Sequence, residues 1–305
     1  MATLPQGFLV RPPTMDDAES LVSLLTANVN SVNYIGYTLK DLYAHWATPG
    51  FHKETDAWVV VTPENQRVGY AFVQGEKERI SIVCQHIDYR GQDIWCFLFE
   101  YVEERVRHSR SPLLTQTHVT LSTAFNDANA SAKHGMEQKG YQMVHRAWLM
   151  KREMSGRPLT PQLPKGMTIR TFIPGRDEHL AHEVMQDAFM LSEAFEEWKP
   201  KFTEDIFDPT LWFFALNGNE VAGAILCYNN DPNMGWVWSL GVRQAYRQRG
   251  FGKVLLQYAF AEFYKRGQYT VGLDVNAENP TAIQLYCNAG MHRVQEFYTY
   301  QKEIL

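Results

Sequence analysis

Trp236-Val-Trp-Ser-Leu-Gly-Val-Arg-Gln-Ala-Tyr-Arg-Gln-Arg-Gly-Phe-Gly-Lys-Val-Leu-Leu256 changes character twice. Trp236 to Val242 is rich in β-branched and aromatic residues and reads as a strand. Arg243 to Arg249 is polar. Gly250-Phe-Gly252 opens a helical pattern that runs to Arg266 and stops at Gly267, a favoured residue just past a helix end. A strand, a tight turn and a helix N-terminus in that order make an anion site. The first backbone N–H groups of a helix lack internal partners, and its dipole favours negative charge there. Glycine lets a phosphate approach the backbone closely. The nucleotide P-loop is excluded because no GK[ST] follows. The dinucleotide fingerprint is excluded because its third glycine falls on Leu255. What is left is the spacing Arg247-x-x-Gly250-x-Gly252.

Further on, Leu273-Asp-Val-Asn276 reads as the next strand. Asn279-Pro-Thr-Ala-Ile-Gln-Leu-Tyr286 reads as the next helix, followed by Cys-Asn-Ala-Gly290-Met. In this order the segments resemble the GNAT superfamily of acyl-CoA N-acyltransferases, whose pyrophosphate loop is R/Q-x-x-G-x-G/A. The resemblance spans the C-terminal half of the chain. It implies acetyl-CoA as co-substrate, no metal, and direct attack by the primary amine of a small molecule on the thioester. It implies that the turn Arg247, Gln248, Arg249, Gly250, Phe251, Gly252 and Lys253 holds the pyrophosphate. Leu240, Gly241 and Val242 would pair with the pantetheine arm, and Asn279 would lie beside it. Tyr286 would give a proton to the departing thiolate, as a phenol within reach can.

The general base is less determined. Many members of the family carry a glutamate on the strand before the loop, and here Trp236-Val-Trp-Ser has no carboxylate. Asp274 and Glu278 are alternatives, and an acceptor of low pKa needs no strong base. Two other readings stay open: a CoA-binding sensor or scaffold without turnover, and a peptide or protein acetyltransferase. Trp198, Trp212, Trp236 and Trp238 either line an acceptor pocket or belong to the core.

The chain reads as two similar halves around a linker, Ser155 to Gly166, with three prolines and two glycines. Gly7-Phe-Leu-Val-Arg11 matches Gly166-Met-Thr-Ile-Arg170, and helices are expected over Met15–Leu25 and Glu178–Phe189. Hairpins are expected from Ala57–Val61 with Val68–Phe72, and from Leu211–Ala215 with Val221–Ile225. Asn126-x-x-Asn129 with Gly140 matches Asn276-x-x-Asn279 with Gly290. The fold class expected is α/β (α+β): two tandem acyl-CoA N-acyltransferase-type domains, each a mixed, mostly antiparallel sheet flanked by helices. Residues 167–305 are read as catalytic, 155–166 as linker and 1–154 as a degenerate copy. Matching the glycines, its turn is Asp88-Tyr-Arg-Gly91-Gln-Asp93. Two carboxylates then face the phosphate position, where they would repel it, and Met136 takes the tyrosine position. The chain is expected to be a monomer, its two halves a built-in pseudo-dimer.

Composition agrees with a globular protein: 305 residues, 45% hydrophobic and 21% charged. Net charge is −5 and neither half is basic, so a dedicated nucleic-acid binder is disfavoured. No run is long and apolar enough to span a membrane, and the first residues do not read as a secretory signal. Cys84, Cys96, Cys227 and Cys287 form no CxxC pair, which fits a reducing cytoplasm. His179-x-x-His182-Glu183 matches no metal motif. Arg105, Arg107, His108 and Arg110 read as a solvated helix end. Asn129-Ala-Ser131 fits a glycosylation sequon, but a chain without a signal would not meet that machinery.

Overall fold

The computed structural model describes residues 2–28, 37–76, 78–108, 119–158, 162–202, 207–231 and 233–304. By contacts the chain forms two compact units, one of Met1–Trp148 with Gln295–Leu305 and one of Leu149–Val294.

The first unit contains strands β1 (Leu9–Arg11), β2 (Ala57–Val61), β3 (Arg67–Gln74), β4 (Glu78–Gln85), β5 (Val119–Asn126) and most of β6 (Gln142–Glu153). Its helices are α1 (Ala18–Asn28), α2 (Leu39–Trp46), α3 (Lys53–Asp56), α4 (Ile94–His108) and α5 (Ala130–Gln138). The expected hairpin is present, Ala57 facing Phe72 in the β2–β3 ladder. The helix expected from Met15 begins as a 3-10 turn, Met15–Asp17, and becomes α-helical only at Ala18. Asp17 is the reason. Its carboxylate accepts from the amide and hydroxyl of Thr14 and from Arg11 and Arg67, which fixes the chain before the helix starts.

The second unit runs through β7 (Met167–Thr171), α6 (Glu178–Phe189), α7 (Phe195–Trp198), β8 (Trp212–Asn217), β9 (Glu220–Asp231), β10 (Met234–Val242), α8 (Phe251–Lys265), β11 (Thr270–Asn276) and α9 (Pro280–Asn288). Its strands order as β11-β10-β9-β8-β7, antiparallel except for the β10–β11 pair. Helix α6 coincides with the helix read from the sequence. Each unit thus has a mixed, mostly antiparallel sheet flanked by helices, as expected. The last strand, β12 (His292–Ile304), continues into the first unit. There it pairs antiparallel with β5, from Phe297 opposite Asn126 to Ile304 opposite Val119.

Two apolar layers build the second unit. Phe172, Met185, Trp198, Trp212 and Phe214 form a core between the sheet and α6–α7. On the other face α8 lies against the sheet. A Cβ at Gly235 would come within 2.3 Å of the Phe263 ring, so only glycine admits this approach. Arg170 stacks over Phe214 and pairs with buried Asp177, as Arg11 pairs with buried Asp17 in the first unit. Burial pushes the Asp177 carboxyl up. The guanidinium groups of Arg170 and Arg176 and the Ile173 amide overcome this and hold it at about 2. Among the described residues no helix is long and apolar enough to cross a membrane.

Candidate active site

Parallel pairing between β10 and β11 covers only three positions, Met234–Thr270, Gly235–Val271 and Trp236–Gly272. Both strands then run on, β10 to Val242 and β11 to Asn276, without pairing to each other. A bulge in the β9–β10 ladder falls at the same place, between Val237 and Ser239. The extra residue is Trp238. A bulge turns two successive side chains to one face and bends the strand. Trp238 packs on Trp198 and Trp212 at 5.8 and 6.1 Å, and the Ser239 hydroxyl lies 3.4 Å from the Met185 sulfur of α6. Both therefore face α6–α7. The result is a groove bounded by residues 238–242 on one side and 273–276 on the other.

The turn at the end of β10 is built as the sequence suggests. Gln244–Tyr246 make a 3-10 turn, Gln248 and Gly250 take left-handed backbone angles (φ 61° and 84°), and α8 starts at Phe251. Gly250 has no side chain to cap the helix, the first turn carries no acidic residue, and the first intrahelical bond is Val254 N–H to Gly250 O. The amides of Phe251, Gly252 and Lys253 therefore have no intrahelical partner. Phe251 is buried against Tyr246, while Gln248, Arg249 and Lys253 are exposed. Arg247, expected at the phosphate, also ties the turn to α6. Its guanidinium donates to the Ala188 carbonyl of α6 at 2.5 Å. The Gln244 amide adds a bond to Asp187, so the turn is clamped to the end of α6.

Gly252 faces the groove. A Cβ there would lie 3.3 Å from Leu285 of α9 and 3.6 Å from Val242. Tyr286, on the same helix as Leu285, is 8% exposed, and burial pushes its phenol up to about 12. Its hydroxyl has no hydrogen-bond partner among the described residues. Asn279 is the N-cap of α9, its side chain accepting from the Ala282 amide at 3.0 Å. Asn129 caps α5 in the same way at 3.1 Å, so capping accounts for both asparagines. A Cβ at Gly272 would meet the Trp236 ring, and Gly235 faces α8, so Trp236 and Gly272 share the α6–α7 face. Alternation puts Asp274 on that face too, half-buried, whereas Glu278 is exposed beyond the strand. Trp198, Trp212 and Trp236 are buried core residues, and Trp238 is half-buried at the groove.

The other sequence candidates are structural. His179 stacks on Phe195, and the His182 ring bonds the Glu193 carbonyl. Arg105 pairs with Asp56 and Arg107 with Glu103, while Arg110 lies outside the described residues. Among the described residues no group of three metal-ligating side chains occurs.

In the first unit the turn requires a correction of register. Ile87–Tyr89 and Gln244–Tyr246 are equivalent 3-10 turns, and α4 and α8 start at Ile94 and Phe251. Arg90 therefore matches Arg247, Gly91 matches Gln248, Asp93 matches Gly250, and Trp95 takes the position of Gly252. Matching glycine to glycine fails because either residue, Gly91 or Gln248, can supply the left-handed angle the turn needs. The signal for the right register was in the sequence: Tyr89-Arg90 repeats as Tyr246-Arg247.

Comparison with known proteins agrees with this geometry. A family model described as the acetyltransferase (GNAT) family matches residues 179–291. A mycothiol acetyltransferase of Catenulispora acidiphila is 29% identical over 268 residues, 81% of this chain and 82% of that protein. The crystal structure of a GCN5-related N-acetyltransferase from Sphaerobacter thermophilus is 30% identical with a TM-score of 0.79, covering 99% of this chain and 97% of that one. A tandem GNAT protein from the clavulanic acid biosynthesis pathway has a TM-score of 0.67 over 97% and 98% of the two chains. At 15% identity it shows a shared fold alone.

Proposed function

The chain belongs to the GCN5-related N-acetyltransferase (GNAT) family and is an acetyl-CoA-dependent N-acetyltransferase, and from that premise we propose that it acetylates the primary amine of a small molecule in the β10–β11 groove of the second unit. The carrying observation is the coincidence of unpaired strand edges with an uncapped helix start at one end of them. Acetyl-CoA supplies an activated acyl thioester.

The amides of Phe251, Gly252 and Lys253, at the positive end of α8, suit a pyrophosphate. Gln248 and Arg249 are exposed beside them, and Arg247 and Gly250 shape the turn. The open edge at Leu240, Gly241 and Val242 offers backbone groups to the pantetheine amides, with Asn279 across the groove. Donors on such an edge also stabilise charge that develops on a thioester oxygen.

The residues that move protons follow from their surroundings. Tyr286 keeps its proton throughout the neutral range and can give it to sulfur as the C–S bond breaks. The amine nitrogen bonds to the acyl carbon and must lose a proton. Asp274, half-buried on the acceptor face, is the carboxylate best situated to take it, directly or through water. Trp238 forms an aromatic wall on that face. Relatives named mycothiol acetyltransferase support a small-molecule acceptor over a peptide. Residues 167–305 act as the catalytic half and 1–154 as the supporting half, joined through 155–166. The chain works as a monomer in the cytoplasm, a setting supported by four free cysteines.

Thiol release from acetyl-CoA with a panel of primary amines tests the reading. Turnover that needs both an amine and Tyr286 is expected. A folded protein that binds CoA but releases no thiol with any amine would instead be a binding module.

A further inference from the structure

The first unit contains the same break in its sheet. β4 and β5 pair in parallel only from Glu78–Thr120 to Ser81–Thr123, although β4 continues to Gln85 and β5 to Asn126. Here the gap is filled. Trp95, at the position of Gly252, is 1% exposed. Its indole N–H donates to the Val83 carbonyl at 3.0 Å, and Val83 is the equivalent of Leu240. The ring stacks on Phe99 at 5.2 Å and meets Phe125 of β5 edge-on at 5.4 Å, so it spans from one separated strand to the other. The helix start is closed as well. The Trp95 amide, which corresponds to the open Gly252 amide, donates to the Gln85 side chain at 3.2 Å. Gln85, the equivalent of Val242, also bonds the Tyr89 carbonyl. One side chain thus takes the acyl-carrier's place along the strand edge, and another takes the phosphate's place at the helix.

We propose that Trp95 and Gln85 make the first unit's groove self-occupied, so that the protein takes up one acyl-CoA per chain, in the second unit only. This rests on the assignment of the β10–β11 groove to acyl-CoA. The interactions that would recognise the ligand are made within the chain, and they give the first unit a filled core without any ligand. The two halves differ at both of these positions, Trp95 for Gly252 and Gln85 for Val242, while the turn itself keeps its 3-10 segment and arginine.

Calorimetric titration of the full chain with CoA tests this. One equivalent is expected for the wild type, with affinity weakened at least tenfold by Gly252→Asp. In the Gly252→Asp background, Trp95→Gly together with Gln85→Val should create a second kind of site by opening the first groove. Two equivalents in the wild type would overturn the proposal. So would an affinity that Gly252→Asp leaves unchanged, because the ligand would then sit in the first unit. If that variant folds and gains no binding, Trp95 and Gln85 are not what closes the groove. No binding by the wild type would instead overturn the assignment of the second groove along with the stoichiometry.

Discussion

Gly252 is where fold and cofactor make opposite demands, and a substitution series separates them. The residue is the second of α8, in right-handed helical geometry, so a side chain imposes no backbone strain. Replacing glycine by alanine in a helix gains up to about 1 kcal/mol. The new Cβ would sit 3.3 Å from a terminal methyl of Leu285, which can rotate away. Gly252→Asp adds a carboxylate at the positive end of the helix, worth roughly 0.3–1 kcal/mol to stability. That same carboxylate competes for the amides assigned to the pyrophosphate and repels its charge. Stability and affinity should therefore move in opposite directions. Thermal unfolding of the alanine variant should rise by up to roughly 2–4 °C, given about 1 kcal/mol in a unit of this size. Its CoA affinity should stay within about threefold of wild type. The aspartate variant should unfold at or above the wild-type temperature and lose at least tenfold in CoA affinity, about 1.4 kcal/mol. Differential scanning fluorimetry and titration calorimetry read the two quantities separately. A folded aspartate variant that binds CoA within twofold of wild type would refute the assignment of the α8 N-terminus.

Four further variants test the geometry. Tyr286→Phe should lower turnover by roughly 10²–10⁴, as removal of a general acid does, with little change in CoA binding. The Tyr286 phenol is raised to about 12 in the folded protein against about 10 unfolded, so its stabilising contribution is present below pH 10 and lost as pH rises toward 12. The phenylalanine variant should accordingly resist alkaline unfolding better, by at most about 3 kcal/mol, and an unchanged alkaline midpoint would contradict the burial argument. Asp177, held at about 2 against an ordinary value near 4, contributes above pH 4 and loses that contribution as pH falls toward 2. Asp177→Asn should cost about 2 kcal/mol at pH 7, read by urea unfolding, and the difference from wild type should vanish near pH 2. Asp93→Asn keeps a residue that tolerates the left-handed angle and should leave turnover within about twofold, because the first unit's turn carries no transition-state stabilisation. A fragment of residues 167–305 should aggregate. It lacks Arg152, which covers Phe260 and bonds the Ala289 carbonyl, and carries a terminal strand whose β5 partner is absent. A soluble, monomeric fragment would argue against that.

The local elements were legible because their signals are local. Glu178–Phe189, the Ala57–Val61 and Val68–Phe72 hairpin, and the strand–turn–helix from Trp236 to Leu256 carry their own periodicity, turn residues and glycine stop. The duplication was legible because short phrases recur in order. The features that complete the site arise between elements. The bulge at Trp238 exists only relative to β9, and no residue in Val237-Trp-Ser239 announces it. The family resemblance implies a phosphate role for Arg247, whereas its bond to the Ala188 carbonyl, 59 residues away, has no local signal. The counterpart of Gly252 is identified as Trp95 only once the two turns are brought into register by their 3-10 segments. Pairing of β12 with β5 is equally non-local, joining Phe297–Ile304 near the C-terminus to Val119–Asn126 in the middle of the sequence.

A crystal structure of the full chain with CoA bound tests the central claim most directly. The account predicts density along Leu240 to Val242, the pyrophosphate against the amides of residues 251–253, and the sulfur within hydrogen-bond reach of the Tyr286 hydroxyl. It predicts Trp95 unmoved between Val83 and Phe125, with no CoA beside it. CoA seated against the Gly91–Asp93 turn, or a sulfur remote from Tyr286, would contradict the account.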